Sequence, residues 1–253
     1  MPVVIKSQAE VAAMREAGRI NAEVRAILRE AVRPGVSGTE LDALAKREIA
    51  RRDAVPTFVG YAPGGRPPYP GAICYSVNEI LVHGIPNERR LEEGDIVSID
   101  LGVTYRGWVS DAAFTAPVGK VDPELEALLR ATEEAMWAGI RAATPEARLG
   151  DVSHAIEAAG DDYGIVRDYG GHGVGREMHE PPHILNFGKP GTGLKLKRGM
   201  VVALEPMFAL GGPATEELSD RWSVRMVDGS CSAHFEETIA ITDGEPEVLT
   251  RIG

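Results

Sequence analysis

Five side chains of the types that bind divalent metal ions occur in order along the chain. They are Asp100, Asp111, His172, Glu205 and Glu236. Asp100 ends a largely apolar run that begins at Ile96, and Glu205 lies inside the apolar segment 200–208. An ionised carboxylate in such a strand is costly unless it is paired, hydrogen-bonded or bound to a metal. Four carboxylates and one imidazole can hold two divalent ions, so this set predicts metal-assisted hydrolysis.

The spacing of Asp100 and Asp111 predicts that both side chains project from one face of a β-hairpin. Segment 104–107 lies midway between them and has the character of a turn. A two-residue loop flanked by residues 104 and 107 would set Asp100 opposite Asp111, with Cβ atoms about 4.5–5.5 Å apart. A cation between the carboxylates would relieve their repulsion. Tyr105-Arg106 is not a favoured pair for such a loop, so a shift of one residue stays open, as does a surface hairpin with two solvated aspartates.

A glycine-rich stretch around residues 170–175 carries His172, and His179 follows seven residues later. The glycines permit unusual backbone conformations and the close approach of a ligand. A dinucleotide-binding loop is disfavoured because Pro181-Pro182 follows in place of a helix. Seven residues of extended chain cannot easily bring both imidazoles to one ion. We therefore expect His172 to be a metal ligand and His179 to face the substrate.

Capping signals and hydrophobic patterns predict two similar halves. A capping-box pattern at Ser7 starts a helix that runs to about Ala31, and Thr39 opens a second helix. Strands are expected over 73–82, 96–103 and 108–114, helices over 123–143 and 151–159, and strands over 201–208, 223–227 and 235–241. Runs of helices followed by runs of strands favour an α+β fold over a doubly wound parallel sheet. Two such halves would share a site at their junction, within a single catalytic domain over residues 1–253.

The composition is that of an ordinary globular protein and narrows the possible partners. The 253 residues carry a formal net charge of -11, which argues against general affinity for nucleic acid or an anionic membrane. No apolar run reaches the roughly 18 residues of a membrane span, and no secretory signal is recognisable. Cys74 and Cys231 are the two cysteines and form no paired motif. We expect a reduced, cytoplasmic location and, by default, a monomer.

Five ordered motifs closely resemble those of type I methionine aminopeptidases, in the short bacterial-type form of peptidase family M24. They are Ser76–Pro86, Gly94–Asp100, Gly171–Gly175, Glu205–Met207 and Phe235–Glu236. The resemblance spans about residues 5 to 245. It implies the pita-bread (creatinase/aminopeptidase) fold, a pseudo-twofold curved antiparallel sheet backed by helices.

The resemblance also implies a metal site with two divalent ions, which could be Co, Mn, Fe or Zn. Asp111 and Glu236 would bridge the ions, Asp100 would chelate one, and His172 and Glu205 would complete the other. A water activated by two ions would attack the carbonyl group after the first residue.

The catalytic roles implied by this likeness fall on Glu205, His179 and His83. Glu205 would take the proton of the attacking water. His179 would stabilise the oxyanion that develops on the substrate. His83 would bind near the scissile amide nitrogen and assist the leaving group.

The same comparison implies a pocket for the methionine side chain. Tyr69, Cys74 and Trp222 match pocket positions, and Tyr61 and Met178 are further candidates. An apolar slot of soft and aromatic groups suits an unbranched thioether. The alternatives from residue type alone are a plain buried thiol for Cys74 and a core residue for Trp222.

The chain departs from the family pattern in three places. Segment 62–68 is several residues longer than usual, which puts the role of Tyr61 in doubt. Met178 stands where the family usually has an aromatic residue. Glu237 replaces the usual histidine after Glu236, where its charge would either lie beside the metals or point away along the strand. The remaining histidines, His154, His183 and His234, are interpreted as surface or packing residues.

The resemblance implies an enzyme that removes the N-terminal methionine from nascent proteins when the second residue is small. Its partner would be the emerging polypeptide near the ribosome. Two alternatives stay open. One is a proline-directed aminopeptidase on the same scaffold, and the other is a non-catalytic binding protein that keeps this fold. Loss of a metal ligand would mark the second, and all five ligands are present.

Overall fold

The computed structural model describes residues 2–160 and 162–252. Helices in these residues are α1 (Gln8–Ala31), α2 (Gly38–Ala50), α3 (Pro123–Ala142) and α4 (Leu149–Ala159). The predicted capping box at Ser7 is confirmed, since Ser7 and Glu10 bond each other's backbone N–H groups. The second helix begins one residue earlier than predicted, because Ser37 and Glu40 form another capping box. None of the helices within the described residues is long and apolar enough to cross a membrane.

The strands are short apart from one long hairpin. They are β1 (Val55–Pro56), β2 (Cys74–Val77), β3 (Ile80–Val82), β4 (Ile96–Tyr105), β5 (Trp108–Pro117), β6 (Gly164–Ile165), β7 (Gly170–Gly173), β8 (Glu180–Leu185), β9 (Val201–Leu204), β10 (Met207–Ala209), β11 (Thr215–Glu217), β12 (Val224–Met226), β13 (Ser232–His234), β14 (Glu236–Ala240) and β15 (Glu247–Val248). Two of the continuous strands predicted from sequence are interrupted. The first breaks at Asn78, which adopts a φ of 56°, and the second breaks at Glu205-Pro206.

The strands form an antiparallel sheet that runs through the centre of the molecule. Its order is β1-β4-β5-β14-β9-β7-β8, with β2 also paired to β4 and β15 to β14. Smaller sheets follow the orders β13-β10-β6 and β11-β12-β3. Helices that pack on an antiparallel sheet, without parallel crossovers, make this an α+β fold, as predicted from the run pattern.

Of the registers that the sequence leaves open for the central hairpin, the structure has the one shifted by one residue, so Asp100 does not lie directly opposite Asp111. The turn consists of Arg106 and Gly107, so Asp100 pairs with Ala113. Both turn residues have positive φ, 50° and 75°, as a two-residue type I′ loop requires, and glycine takes the second position without strain. When the turn moves by one residue, the partner of each β4 residue moves by two positions along β5. Since side chains alternate with a period of two, Asp100 and Asp111 still project from the same face, as diagonal neighbours.

Alternation along β4 explains how the sheet serves both the core and the site. Val97, Ile99 and Leu101 face the helices and belong to the main hydrophobic cluster, together with Ile20 and Val24 of α1. All five are buried, and truncating such a side chain to alanine typically costs about 2–5 kcal/mol. The residues between them, Asp100 included, therefore face the opposite side of the sheet. The packed core thus fixes the surface from which the site is built.

Candidate active site

Two neighbouring rows of side chains cross the strands on the face away from the helices. In the first row Cys74 pairs with Asp100, Asp100 pairs with Ala113, and Ala113 pairs with Glu236. The β14–β9 pairing sets Glu237 opposite Leu204, so one further step along both strands sets Glu236 opposite Glu205. Residues in one row lie on the same face. The register alone therefore brings Asp100, Glu236 and Glu205 into line.

The second row contains Asp111 and His172. The side-chain hydroxyl of Thr238 accepts a hydrogen bond from the backbone N–H of Asp111 at 3.0 Å and donates one to the carbonyl oxygen of Asp111 at 2.7 Å. Thr238 pairs with Ala203, and Ala203 pairs with His172. This row is displaced by two residues from the first, so it lies on the same face. All five residues predicted as metal ligands meet on one face of the central sheet.

The five residues form a compact cluster, here called the carboxylate end. One ligand atom from each of Asp111, His172 and Glu236 lies within 4.8 Å of the other two. His172 Nε2 lies 3.5 Å from Glu205 Oε1 and 3.7 Å from Asp111 Oδ2. Two atoms bound to one ion by bonds of about 2.1 Å are separated by up to about 4.2 Å. The cluster therefore has the dimensions of a metal site.

The electrostatics of this cluster also fit a divalent cation. Burial raises the pKa of Asp111 to about 7. Burial first, and then the charge of Asp111, raises the pKa values of Asp100, Glu205 and Glu236 well above the usual range. Among the described residues, Asp100 Oδ1, Asp111 Oδ1 and Glu236 Oε1 are buried without a hydrogen-bond partner. Unpaired buried carboxylates are costly, and a divalent ion would satisfy all of them.

His172 has the tautomer that metal binding requires. Its Nδ1 atom lies 2.9 Å from the carbonyl oxygen of Gly173, which accepts a hydrogen bond from the protonated nitrogen. Nε2 is then unprotonated and points toward the carboxylates. Burial lowers the pKa of His172 to about 3, so the ring stays neutral at ordinary pH. A neutral imidazole with its free nitrogen in the cluster is suited to bind a cation.

His179 and His83 lie at the edge of the cluster. The His179 ring centroid is 4.3 Å from that of His172, and its Nδ1 atom is 2.8 Å from the hydroxyl of Tyr61. Burial lowers the pKa of His179, and burial followed by the charge of His179 lowers the pKa of His83 to about 4. His83 adopts a φ of 60°, a left-handed conformation that is uncommon outside glycine. Both imidazoles are therefore neutral and held in place beside the carboxylates.

Aromatic and soft apolar side chains form the opposite end of the cavity, here called the aromatic end. Its members share one hydrophobic cluster and are Phe58, Tyr61, Tyr69, Met178 and Trp222, with Cys74 on the border to Asp100. Tyr69 and Trp222 meet edge to face, with ring centroids 5.0 Å apart. Burial, and then the neighbouring Asp100, raises the pKa of the Cys74 thiol, so it stays neutral. This end can accommodate an unbranched apolar side chain.

The two ends belong to one cavity of about 320 Å³. All the residues predicted as metal ligands, catalytic groups or pocket members line it, namely Tyr61, Tyr69, Cys74, His83, Asp100, Asp111, His172, Met178, His179, Glu205, Trp222 and Glu236. The cavity is also lined by residues to which the sequence analysis assigned no such role, namely Phe58, Pro63, Arg66, Val82 and His234. A cavity of this size with a polar and an apolar end suits one amino-acid residue of a longer chain.

The long segment 62–68 forms part of the rim. Trp222 donates a hydrogen bond from Nε1 to the carbonyl oxygen of Pro67 at 2.9 Å. Arg66 pairs with Glu217 at 2.5 Å, and its guanidinium lies 5.4 Å from the centre of the Trp222 ring. Pro63 and Arg66 of this segment line the cavity. Tyr61 keeps its position in the cavity despite the longer segment.

Glu237 points away from the carboxylate end. Its Oε1 atom accepts a hydrogen bond from Arg25 of α1 at 2.7 Å, and Oε2 accepts one from the hydroxyl of Thr250. Arg25 also donates to the backbone carbonyl of Glu236 at 3.1 Å. Of the two orientations considered from the sequence, the side chain of Glu237 therefore has the one that points away from the metal ligands. Its charge is compensated by Arg25 on the helix side of the sheet.

His234 lines the cavity, so of the two interpretations given from the sequence, a surface or a packing histidine, the surface one is wrong. The residue is 2% exposed, and its Nε2 atom lies 3.5 Å from Glu205 Oε2. The sequence contains a signal for this position, since His234 precedes Glu236 by two residues and a period of two places both on one face. Arg66 and Phe58 carry no comparable signal, because loops bring them to the cavity. His154 and His183 are exposed, as expected.

An antiparallel sheet backed by helices, with a buried carboxylate–imidazole cluster that fits divalent cations, suits a metal-dependent hydrolase. A family model described as metallopeptidase family M24 matches residues 12–243. The chain belongs to this family. Divalent metal use follows from the family together with the cluster.

Similar proteins are known over the full length of the chain. Methionine aminopeptidase 1 of Bacillus subtilis is 45% identical over 252 residues, which cover 99% of this chain and 100% of that protein. The crystal structure of methionine aminopeptidase from Thermotoga maritima superposes with a TM-score of 0.95 at 41% identity, covering 99% of this chain and 100% of that one. The chain therefore has the pita-bread fold. A prolidase of Pyrococcus furiosus, 23% identical with a TM-score of 0.77, shares the fold over 99% of this chain and 66% of its own.

Proposed function

We propose that this chain removes the N-terminal methionine from polypeptides whose second residue is small. The observation that carries the proposal is the single cavity with a carboxylate end and an aromatic end. The first residue of a substrate would place its thioether against Tyr69, Cys74 and Trp222, and its carbonyl group at the carboxylate end. Identity of 45% to a methionine aminopeptidase over both full lengths supports this substrate.

The carboxylate end would hold two divalent ions. Asp100, Asp111, His172, Glu205 and Glu236 would hold them. Bound divalent ions polarise a carbonyl group and lower the pKa of water. Carboxylates and imidazole accept Mn, Fe, Co or Zn, so availability would decide which ion is present.

Three neutral or proton-accepting groups would serve the peptide itself. Glu205 would accept a proton from the attacking water. His179, with Nδ1 bonded to Tyr61, would present Nε2 to the carbonyl oxygen and stabilise the charge that develops there. His83 would lie near the scissile amide nitrogen and assist its departure.

The substrate would be the N-terminus of a nascent chain, met near the ribosome, and the whole chain would act as one monomeric catalytic domain in the cytoplasm. The second residue of the substrate would pass the rim at Pro63 and Arg66. Full-length similarity to methionine aminopeptidases does not favour a proline-directed enzyme. The presence of all five proposed ligands does not favour a non-catalytic relative.

Release of free methionine from a Met-Ala-Ser peptide tests the proposal. The reaction would run with Mn(II) or Co(II), with a chelated control and with an Ala-Pro peptide alongside. We expect metal-dependent cleavage of the Met-Ala-Ser peptide alone. Preference for the Ala-Pro peptide would move the chain to the proline-directed enzymes. Cleavage of neither peptide by metal-loaded protein would favour the binding protein.

A further inference from the structure

The ring of His234 is buried in the cavity wall, and hydrogen bonds hold the backbone of this residue. The backbone N–H of His234 donates to the hydroxyl of Thr115 at 2.9 Å, and this hydroxyl donates to the carbonyl oxygen of His234 at 2.8 Å. Thr115 also contacts Ser98 at 2.8 Å between hydroxyl oxygens. These bonds join the end of β13 to the central hairpin. They hold the backbone that carries the imidazole, whose Nε2 atom lies near Glu205 and Glu236.

His234 Nε2 takes part in no hydrogen bond within the described part of the chain, although it is buried. A buried histidine that merely fills space normally has its ring nitrogens hydrogen-bonded, because an unsatisfied buried polar atom costs about 1–3 kcal/mol. The other buried atoms without a partner at the carboxylate end are oxygens of Asp100, Asp111 and Glu236. The unpaired nitrogen thus belongs to the same cluster as the unpaired carboxylates.

The position of His234 relative to these carboxylates matches that of His172. His234 Nε2 lies 3.5 Å from Glu205 Oε2 and 4.0 Å from Glu236 Oε2. His172 Nε2 lies 3.5 Å from Glu205 Oε1 and 3.7 Å from Asp111 Oδ2. The two imidazoles therefore approach Glu205 from its two oxygen atoms. All four separations are below the roughly 4.2 Å that two ligands of one ion can span.

We propose that His234 is a sixth protein ligand of the metal centre, which supplies a second imidazole nitrogen to the ion held by His172 and Glu205. The proposal rests on the metal centre of the proposed function and adds one donor to it. A second nitrogen ligand makes the site less oxygen-rich. Imidazole suits Zn, Fe and Co better than Mg or Ca, so His234 would shift the preference of the site toward the former ions.

The nitrogen ligands can be counted directly. Wild-type protein carrying one equivalent of Mn(II) would be studied by pulsed electron paramagnetic resonance, which detects ¹⁴N nuclei bound to the ion. We expect two imidazole nitrogens in the wild type and one in His234→Gln. His154→Gln, which changes an exposed histidine on α4, is the matched control and should keep both. Circular dichroism and the Tm of the metal-free proteins check that each variant folds.

Metal affinity gives a second readout. Calorimetric titration with Co(II) should show affinity weakened by about 10- to 100-fold in His234→Gln and unchanged in His154→Gln. A single imidazole nitrogen in the wild type would overturn the proposal, whether or not affinity falls, since His234 would then act through Glu205. The number of bound imidazole nitrogens is measured on the wild-type protein, so this test does not depend on whether a variant folds. Wild-type protein that releases methionine but shows one nitrogen would overturn the role of His234 and leave the proposed function intact.

Discussion

Four of the five residues of the carboxylate end lie in paired strands, and Glu205 directly follows β9, whereas most of the aromatic end and the histidines beside it lie in loops. Asp100, Asp111, Glu236 and His172 lie in strands whose register fixes which side chains are neighbours. Tyr61 and Trp222, by contrast, lie outside strands, and each side chain makes one hydrogen bond, to His179 and to the carbonyl oxygen of Pro67 respectively. Backbone hydrogen bonds between paired strands hold each residue of those strands in place. The position of a loop residue depends on fewer contacts, most of them made by side chains.

This difference suits the work of each end. Ligands of a metal ion must stay within a few tenths of an ångström of their positions, which regular strands provide. The groups that meet the peptide must admit and release a chain, and loops at a rim allow this. Changes at the carboxylate end should therefore be severe and local, and changes at the aromatic end should be graded.

The largest effect is expected for Asp111→Asn. Asparagine keeps the size of the side chain but removes the charge that would bridge two ions. We expect methionine release to fall by at least about 10²–10³-fold, the scale of a lost electrostatic group in an active site. Metal content after dialysis should fall in parallel. An active variant with full metal content would show that Asp111 is not a ligand.

The same variant should be more stable than the wild type when both lack metal. The folded-state pKa of Asp111, about 7, lies above its ordinary value of 3.8. Its stabilising contribution is therefore complete below pH 4 or so and is lost as the pH rises through about 7. Asparagine does not ionise and so avoids this loss. The difference in unfolding free energy between the variant and the wild type should therefore grow with pH to a few kcal/mol, because each unit of pKa shift corresponds to about 1.4 kcal/mol. Urea unfolding with chelator at pH 5 and pH 8 measures it, and a difference that stays constant with pH would contradict it.

The next effect is expected for His179→Ala, at the border of the two ends. The lost group would have stabilised charge on the substrate carbonyl, so kcat should fall by roughly 10–10³-fold. Metal affinity should change little, since the proposed ligands remain. Unchanged kcat would remove His179 from this role. A large loss of metal would mean instead that the loop carrying His179 supports the carboxylate end.

Glu237→Ala tests whether the strand that carries Glu236 is supported from the helix side. Removing this carboxylate leaves Arg25 without its partner in a mostly buried position, which should cost about 3 kcal/mol in unfolding free energy. Glu16→Ala breaks an exposed pair with Arg19 and serves as the control, with an expected loss below about 1 kcal/mol. Chemical denaturation measures both. Weakened metal binding without a loss of stability would place Glu237 beside the metals after all.

Sequence reasoning succeeded where a period or a spacing fixes the structure. The shared face of Asp100 and Asp111 follows from strand alternation, and it is the same in both positions of the turn that the sequence left open. The same alternation would have placed His234 beside Glu236. The two residues belong to different strands, β13 and β14, and the strand predicted from the sequence began only at residue 235. The contact between Tyr61 and His179 could not be predicted. It joins two loops 118 residues apart, and no local pattern determines where such loops meet.

The smallest effect, expected for Tyr61→Phe, tests that loop contact. Phenylalanine keeps the ring that stacks on His179 and removes only the hydroxyl 2.8 Å from Nδ1. A hydrogen bond of this kind contributes about 0.5–1.5 kcal/mol, so kcat should fall about 2- to 10-fold with little change in KM. Tyr105→Phe, at the end of the central hairpin, is the control and should keep full activity.

The outcome decides how far the loops share in catalysis. A small fall in kcat would mean that Tyr61 orients His179, as the geometry indicates. An unchanged kcat would mean that packing alone holds the imidazole. A fall as large as that of His179→Ala would mean that the tyrosine hydroxyl fixes which nitrogen of His179 carries the proton, because the wrong tautomer could not donate to the substrate oxygen. In that case a loop contact would matter as much as a strand ligand, and the distinction between the two ends would fail.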